Sequence, residues 1–179
     1  SETVWRQADK YGVPRMAFIN KLDRTGADFF TVLGEIRERL GAKAYPLQIP
    51  WGREGDFVGV VDLVTMKSVK FDSANPSKTP VIGEIPSELK GAAAKTRHEL
   101  REGSAECNDA RMDKYVHDQE PTEDELRQGI REATIKHSVV PVLCGASFRN
   151  IGVQPLLDAI CEYLPSPLDV SIPTAHSPV

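Results

Sequence analysis

Four apolar residues, Met16-Ala17-Phe18-Ile19, run without a break into Asn20-Lys21-Leu22-Asp23 and then Gly26. No other feature constrains the fold as much. An unbroken apolar run of this length reads as a strand buried on both faces, and such strands belong to parallel sheets covered by helices. In open α/β sheets ligands bind beyond the carboxyl ends of the strands, where the polar residues stand here.

The flanking sequence fits that reading. Residues 1–12 have helical spacing, with Val4, Trp5, Ala8 and Tyr11 on one face and Gly12 as a C-terminal cap. Asp28 is an N-cap for a helix that carries Phe29, Leu33, Ile36 and Leu40 and stops at Gly41. "AKAYPLQIP", residues 42–50, reads as one further strand. Helix and strand thus alternate, as in a parallel sheet with crossover helices.

The pattern then changes. "DFVGVVDLVTMKSVKFD" reads as a strand pair, followed by a loop with Asn75, Pro76, Pro80 and Gly83. Residues 86–118 are charged and helical in spacing, against the grain of Gly91 and Gly103. Thr122 and Glu125 form a capping box for the next helix. At Val139 the apolar run returns as "VVPVLC". A closing helix then sets Val153, Leu156, Leu157, Ile160 and Leu164 on one face. The fold class is α/β, a sheet in two parts (residues 1–45 and 138–168) interrupted by an α+β insert, residues 46–137. Residues 169–179 read as linker.

Composition narrows the function. A net charge of −4 argues against a general nucleic-acid surface. Cys107, Cys144 and Cys161 form no C-x-x-C pair, and the four histidines form no H-E-x-x-H. A disulfide framework and a zinc site are therefore not expected, and the setting is reducing, cytoplasmic or an organellar matrix. No apolar run approaches the length of a membrane span and no signal peptide opens the chain. The chain starts without Met, on a helix already under way, and reads as a fragment.

Asn20-Lys21-Leu22-Asp23 fits N-K-x-D, a pattern whose chemistry suits guanine. An Asp carboxylate accepts from the ring N1–H and the exocyclic amino group together, a pair that adenine does not offer. The Lys21 stem can lie along the base face with its ammonium in water. The Asn20 amide can face the base and brace neighbouring loops. A second strand end, "CGASFRN" (residues 144–150), has small residues that let the N–H groups of Ala146 and Ser147 approach the guanine carbonyl oxygen. The candidate base-contacting residues are Asn20, Lys21, Asp23, Ala146, Ser147 and Phe148.

Several stretches, including "SETVWRQADKYGVPRMAFINKLDRTGADF", "FVGVVDLVTMKSVKF", "PTEDELRQGIREATI" and "VPVLCGASFRNIGVQPLLDAICEYLPSPLDV", together closely resemble the G domain of the bacterial-type elongation factor G family. The resemblance covers nearly all of residues 1–170. It implies a P-loop-GTPase-like sheet, with the insert as the G′ subdomain whose helices face the ribosomal stalk protein. GTP or GDP would be held here by base contacts only, with magnesium bound by residues of the parent outside this chain. Two departures stand out. The family carries Ser-Ala where this chain has Ala146-Ser147, which displaces by one residue the hydroxyl that braces the Asp. The tail "SIPTAHSPV" does not match.

The sequence has no G-x-x-x-x-G-K-[ST]. D-x-x-G occurs twice, at Asp56–Gly59 and Asp23–Gly26, in neither case in a convincing context. The chain alone is therefore expected to be inactive. One reading is the base-reading half of a translocation GTPase. A second is a non-catalytic module docking on the stalk through the insert, with Arg97 and Arg101 as the charges whose reversal should weaken it. A third is a related ribosome-protection or release factor.

Overall fold

The two apolar runs of the sequence lie side by side. In the computed structural model, which describes residues 2–75 and 78–169, helix α1 (Glu2–Lys10) leads into β1 (Ala17–Ile19), α2 (Phe29–Leu40) and β2 (Ala44–Pro46). Then come β3 (Gln48–Trp51), β4 (Gly59–Asp62), β5 (Lys67–Lys70) and β6 (Val81–Gly83). Helices α3 (Lys90–Ala105), α4 (Asp109–Val116) and α5 (Glu123–Ile135) precede β7 (Val140–Cys144) and α6 (Val153–Tyr163). Strand β7 is central in a parallel sheet ordered β1-β7-β2, with Ala17 opposite Val142 and Ile19 opposite Cys144. All five of its residues are buried, as an unbroken apolar run requires. The α+β insert forms a separate antiparallel sheet, β3-β4-β5-β6, followed by α3, α4 and α5, with α3 packed on both α4 and α5.

The segment read as one strand is in fact two, in different sheets. Leu47 is the switch: its N–H donates to Val142 O at 2.8 Å in the parallel sheet, and its carbonyl accepts from Leu63 N at 2.9 Å in the antiparallel one. One apolar cluster therefore runs from Ile19 and Leu22 through Leu47 and Ile49 to Phe57, Leu63 and Leu126. The region expected as loop around Gly83 also contains a strand, β6. It is an edge strand whose three residues are all exposed, so it lacks the alternation that announces a half-buried strand.

Local signals hold where their partners are close in sequence. The Asp28 side chain accepts from Thr31 N at 2.7 Å, Gly41 closes α2 at φ 62°, and Thr122 and Glu125 form the capping box of α5. The charged stretch 86–118 breaks into α3 and α4, because Asn108 caps α4 by accepting from Arg111 N at 3.1 Å. Gly103, unfavourable in a helix on propensity, has a packing reason. A Cβ there would lie 2.7 Å from the Tyr45 ring, so α3 approaches β2 only because nothing projects.

Three expected faces are corrected. Helix α1 buries no residue, and Val4 and Tyr11 are exposed; Trp5 is covered instead by the Arg15 guanidinium, 4.5 Å from its ring centroid. Helix α6 buries Ala159 and Tyr163, with Leu156 packed against the core, while Leu157 and Ile160 are exposed. The same rotation brings the Glu162 carboxylate to 2.7 Å from Arg127 Nη1 of α5. Arg97 and Arg101 point inward, their side chains 12% and 10% exposed. Arg97 donates to Val64 O at 2.8 Å and pairs with Glu120, and Arg101 donates to Gln119 O at 3.0 Å and also pairs with Glu120. They hold the insert together rather than forming its outer surface. The expected linker lies, beyond Asp169, outside the described residues, as does Pro76.

Candidate functional site

Because β1 and β7 are parallel neighbours, Asn20 and Gly145 leave the sheet side by side. Two backbone bonds then stitch the loops together. Gly145 N donates to Ile19 O at 3.0 Å, and Leu22 N donates to Gly145 O at 3.2 Å. Only glycine fits at 145, since a Cβ would stand 2.3 Å from Ile151 O and 2.7 Å from the Phe18 ring.

Asn20 braces the loops with its amide. Its Nδ2 donates to Ser147 Oγ at 2.9 Å, while its Oδ1 accepts from Ser147 N at 3.0 Å and from Lys21 N at 2.8 Å. Lys21 sits at φ 64°, in the left-handed region, and turns the chain back sharply. Leu22 consequently drops into the core at 4% exposure, while Lys21 stays exposed and Asp23 is half-buried. Among the described residues Asp23 has no hydrogen bond or ion pair. A half-buried carboxylate left without donors is free to accept them from a ligand.

In the second loop the donors are partly committed. Ala146, 1% exposed, donates its N–H to Ile151 O at 3.0 Å, and Ser147 N serves Asn20. The amide of Phe148 follows in the 3-10 turn Ser147–Arg149, whose first N–H groups have no partner within the turn. The Phe148 ring is 98% exposed, an apolar surface standing beside the Asn20–Ser147 pair. The displaced hydroxyl of Ser147 braces Asn20 and leaves Asp23 alone. Cys144 is fully buried and burial pushes its thiol up, so it is inert.

The structure thus brings all six candidate residues to one edge of the parallel sheet. It adds Glu54 from the insert, whose carboxylate reaches Gly26 N in the same loop, a contact spanning 28 positions that no local pattern announces. No cluster of three or more metal-ligating side chains occurs among the described residues.

Two comparisons bear on this geometry. The family model described as the elongation factor Tu GTP binding domain matches residues 1–166. A crystal structure of a protein from Thermus thermophilus superposes with a TM-score of 0.82 at 32% identity, over 94% of this chain and 24% of that one. The chain spans about a quarter of that protein's length.

Proposed function

Because the chain belongs to the translational GTPase family of the elongation factor Tu GTP-binding domain, we propose that its two strand-end loops read the guanine of GTP and GDP. One observation carries the proposal: the double link between Asn20 and Ser147 holds the two loops as a unit beside an uncommitted Asp23 carboxylate. Asp23 accepts from the base N1–H and the exocyclic amino group. Lys21 covers one base face with its stem, and the 145–148 loop lies at the carbonyl edge. Selectivity over adenine follows, since adenine offers no donor at its N1.

Magnesium, expected with the nucleotide, would be held by residues of the parent outside this chain. The sequence also has no phosphate-cradling motif, and positioning at the phosphates supplies nearly all catalysis of this type. We therefore assign to this chain base recognition without turnover. The motifs shared with elongation factor G support a parent that drives translocation, with the insert facing the ribosomal stalk protein, in the cytoplasm or an organellar matrix. Titration of the chain with GDP, ADP and XDP, followed by ligand-detected NMR, tests the reading. GDP should bind at least tenfold more tightly than either of the others. Equal affinities would overturn it.

A further inference from the structure

The turn that joins β3 to β4 reaches out of the insert and grips the base-reading loop. Glu54 begins the 3-10 turn Glu54–Asp56 and sits at φ 49°, a left-handed conformation that a glutamate adopts at a cost in strain. The turn is fixed from behind. Val58 N donates to Trp51 O at 3.0 Å, Phe57 N donates to Glu54 O at 3.1 Å, and the Phe57 side chain is fully buried. Gly52, at φ 89°, is needed for it, since a Cβ there would stand 2.0 Å from Asp56 O.

From this rigid base Glu54 makes two contacts that bracket Asp23. Its N–H donates to Leu22 O at 3.1 Å, on one side. Its Oε1 accepts from Gly26 N at 2.8 Å, on the other. Between them the loop is two consecutive turns, Arg24 N to Lys21 O at 3.1 Å and Ala27 N to Arg24 O at 3.1 Å. The near end of the pair is tied to the 145–148 loop through Asn20 and Leu22 N, but none of these bonds reaches its far end at Gly26. Glu54 supplies a fixed point at each end, and Asp23 has no bond of its own to hold it.

We infer that Glu54 is a positioning residue for guanine recognition, holding the Asp23 carboxylate in register with the base. The inference rests on the guanine-reading assignment above. The two contacts divide by chemistry: the backbone bond to Leu22 survives any side-chain change except proline, whereas the Gly26 bond needs an acceptor at the reach of a glutamyl side chain.

The test measures GDP and IDP affinities of the 179-residue chain by ligand-detected NMR. Inosine lacks the exocyclic amino group, so the GDP-to-IDP ratio reports how well the carboxylate meets its second donor. That ratio is not moved by a uniform loss of stability. Glu54→Ala should lower GDP affinity about five- to tenfold and reduce the ratio at least threefold. Glu54→Gln, which keeps an acceptor at the same reach, should restore the ratio to within twofold of the parent. Glu54→Asp keeps the charge but falls one methylene short, and should behave like the alanine variant. An unchanged ratio in Glu54→Ala and Glu54→Asp, in a chain whose Asp23→Asn variant exchanges GDP for XDP preference, overturns the positioning role and leaves the guanine assignment standing. A parent chain that does not prefer GDP to IDP overturns both.

Discussion

Asn20 and Ser147, 127 positions apart, are joined twice, side chain to side chain at 2.9 Å and backbone to side chain at 3.0 Å. The two bonds are separable by mutation. Ser147→Ala removes the first and keeps the second, so it should cost about 1 kcal/mol at most, up to roughly fivefold in GDP affinity. Asn20→Ala removes both together with the Lys21 N contact, and should lower GDP affinity roughly tenfold or more. Nucleotide titration of the two variants checks the order. Equal losses would show that the backbone bond contributes nothing.

The inward course of Arg97 changes where a stalk contact must be sought. Arg97→Glu would leave the carbonyls of Leu63 and Val64 without their donor and set a carboxylate against Glu120. Orphaning two carbonyls in this way costs about 2 kcal/mol or more, a fall in Tm of roughly 4–8 °C for a chain this size. Lys95 and Glu102 are exposed on α3 and carry no such duty. If the insert docks on the stalk protein, Lys95→Glu and Glu102→Lys should alter binding to the stalk C-terminal domain with Tm unchanged. A calorimetric titration and a melting curve separate the two classes of variant.

Which parts of this are legible in the sequence follows from the distance between partners. Asp28 with Thr31, Thr122 with Glu125, and Gly41 at the end of α2 are settled within one turn of chain, and the residue types announce them. The position of Asn20–Asp23 at a strand end is legible for a related reason, since the apolar run that delivers it is continuous in sequence. Leu47 is not, because an extended segment looks the same whether its N–H and C=O serve one sheet or two. Apolar spacing misplaces the buried face of α6 because its partners lie on distant elements, and Ala159 and Tyr163 are the residues they cover. Arg97 and Arg101 read as surface residues because a buried arginine is visible only once the carbonyls it serves are in place.

Gly103 sets helix propensity against packing. Gly103→Ala should gain roughly 1 kcal/mol from propensity. The new methyl, however, meets the Tyr45 ring at 2.7 Å, and Tyr45 is tethered through its hydroxyl to Glu106 at 3.1 Å. Overpacking of this kind costs about 1–3 kcal/mol, so a net loss is expected. Gly91, with open space around it, is the control: Gly91→Ala should stabilise. Melting temperatures that rise for both would show that the ring moves aside freely.

Among the described residues, Asp28 is one of four carboxylates, with Glu125, Glu132 and Asp169, that contribute to acid stability. The backbone N–H of Thr31, followed by its hydroxyl and by Arg53, holds the Asp28 carboxyl below its ordinary value. A folded pKa below the unfolded one gives stability that is present above about pH 4 and is lost as the pH falls through the folded value. Asparagine caps helices about as well as aspartate but does not titrate there. Asp28→Asn should therefore match the parent near pH 7 and lose less stability between about pH 4 and pH 2, whereas Asp28→Ala should lose about 1 kcal/mol at pH 7. Denaturant titrations across that range check the sign. A parallel acid limb in the asparagine variant would refute it.

Asp23 is where the guanine assignment meets its strictest test. Two charge-assisted bonds from one carboxylate to the N1–H and amino donors of guanine are worth about 2–4 kcal/mol together. That is roughly thirty- to a thousandfold in affinity. Asp23→Asn turns one acceptor into a donor and sets it against the guanine amino group, so GDP should lose most of that factor. Xanthine has a carbonyl at the same position, to which the new amide donates, so XDP should bind better to the variant than to the parent. The fold should not respond, because Asp23 sits in a loop and bonds to no described residue. A carboxylate that merely solvates a turn would leave both nucleotides unchanged. A loss of GDP with no gain of XDP in a folded variant would place Asp23 near the base without facing its amino edge. Only opposite movements of the two affinities satisfy the assignment.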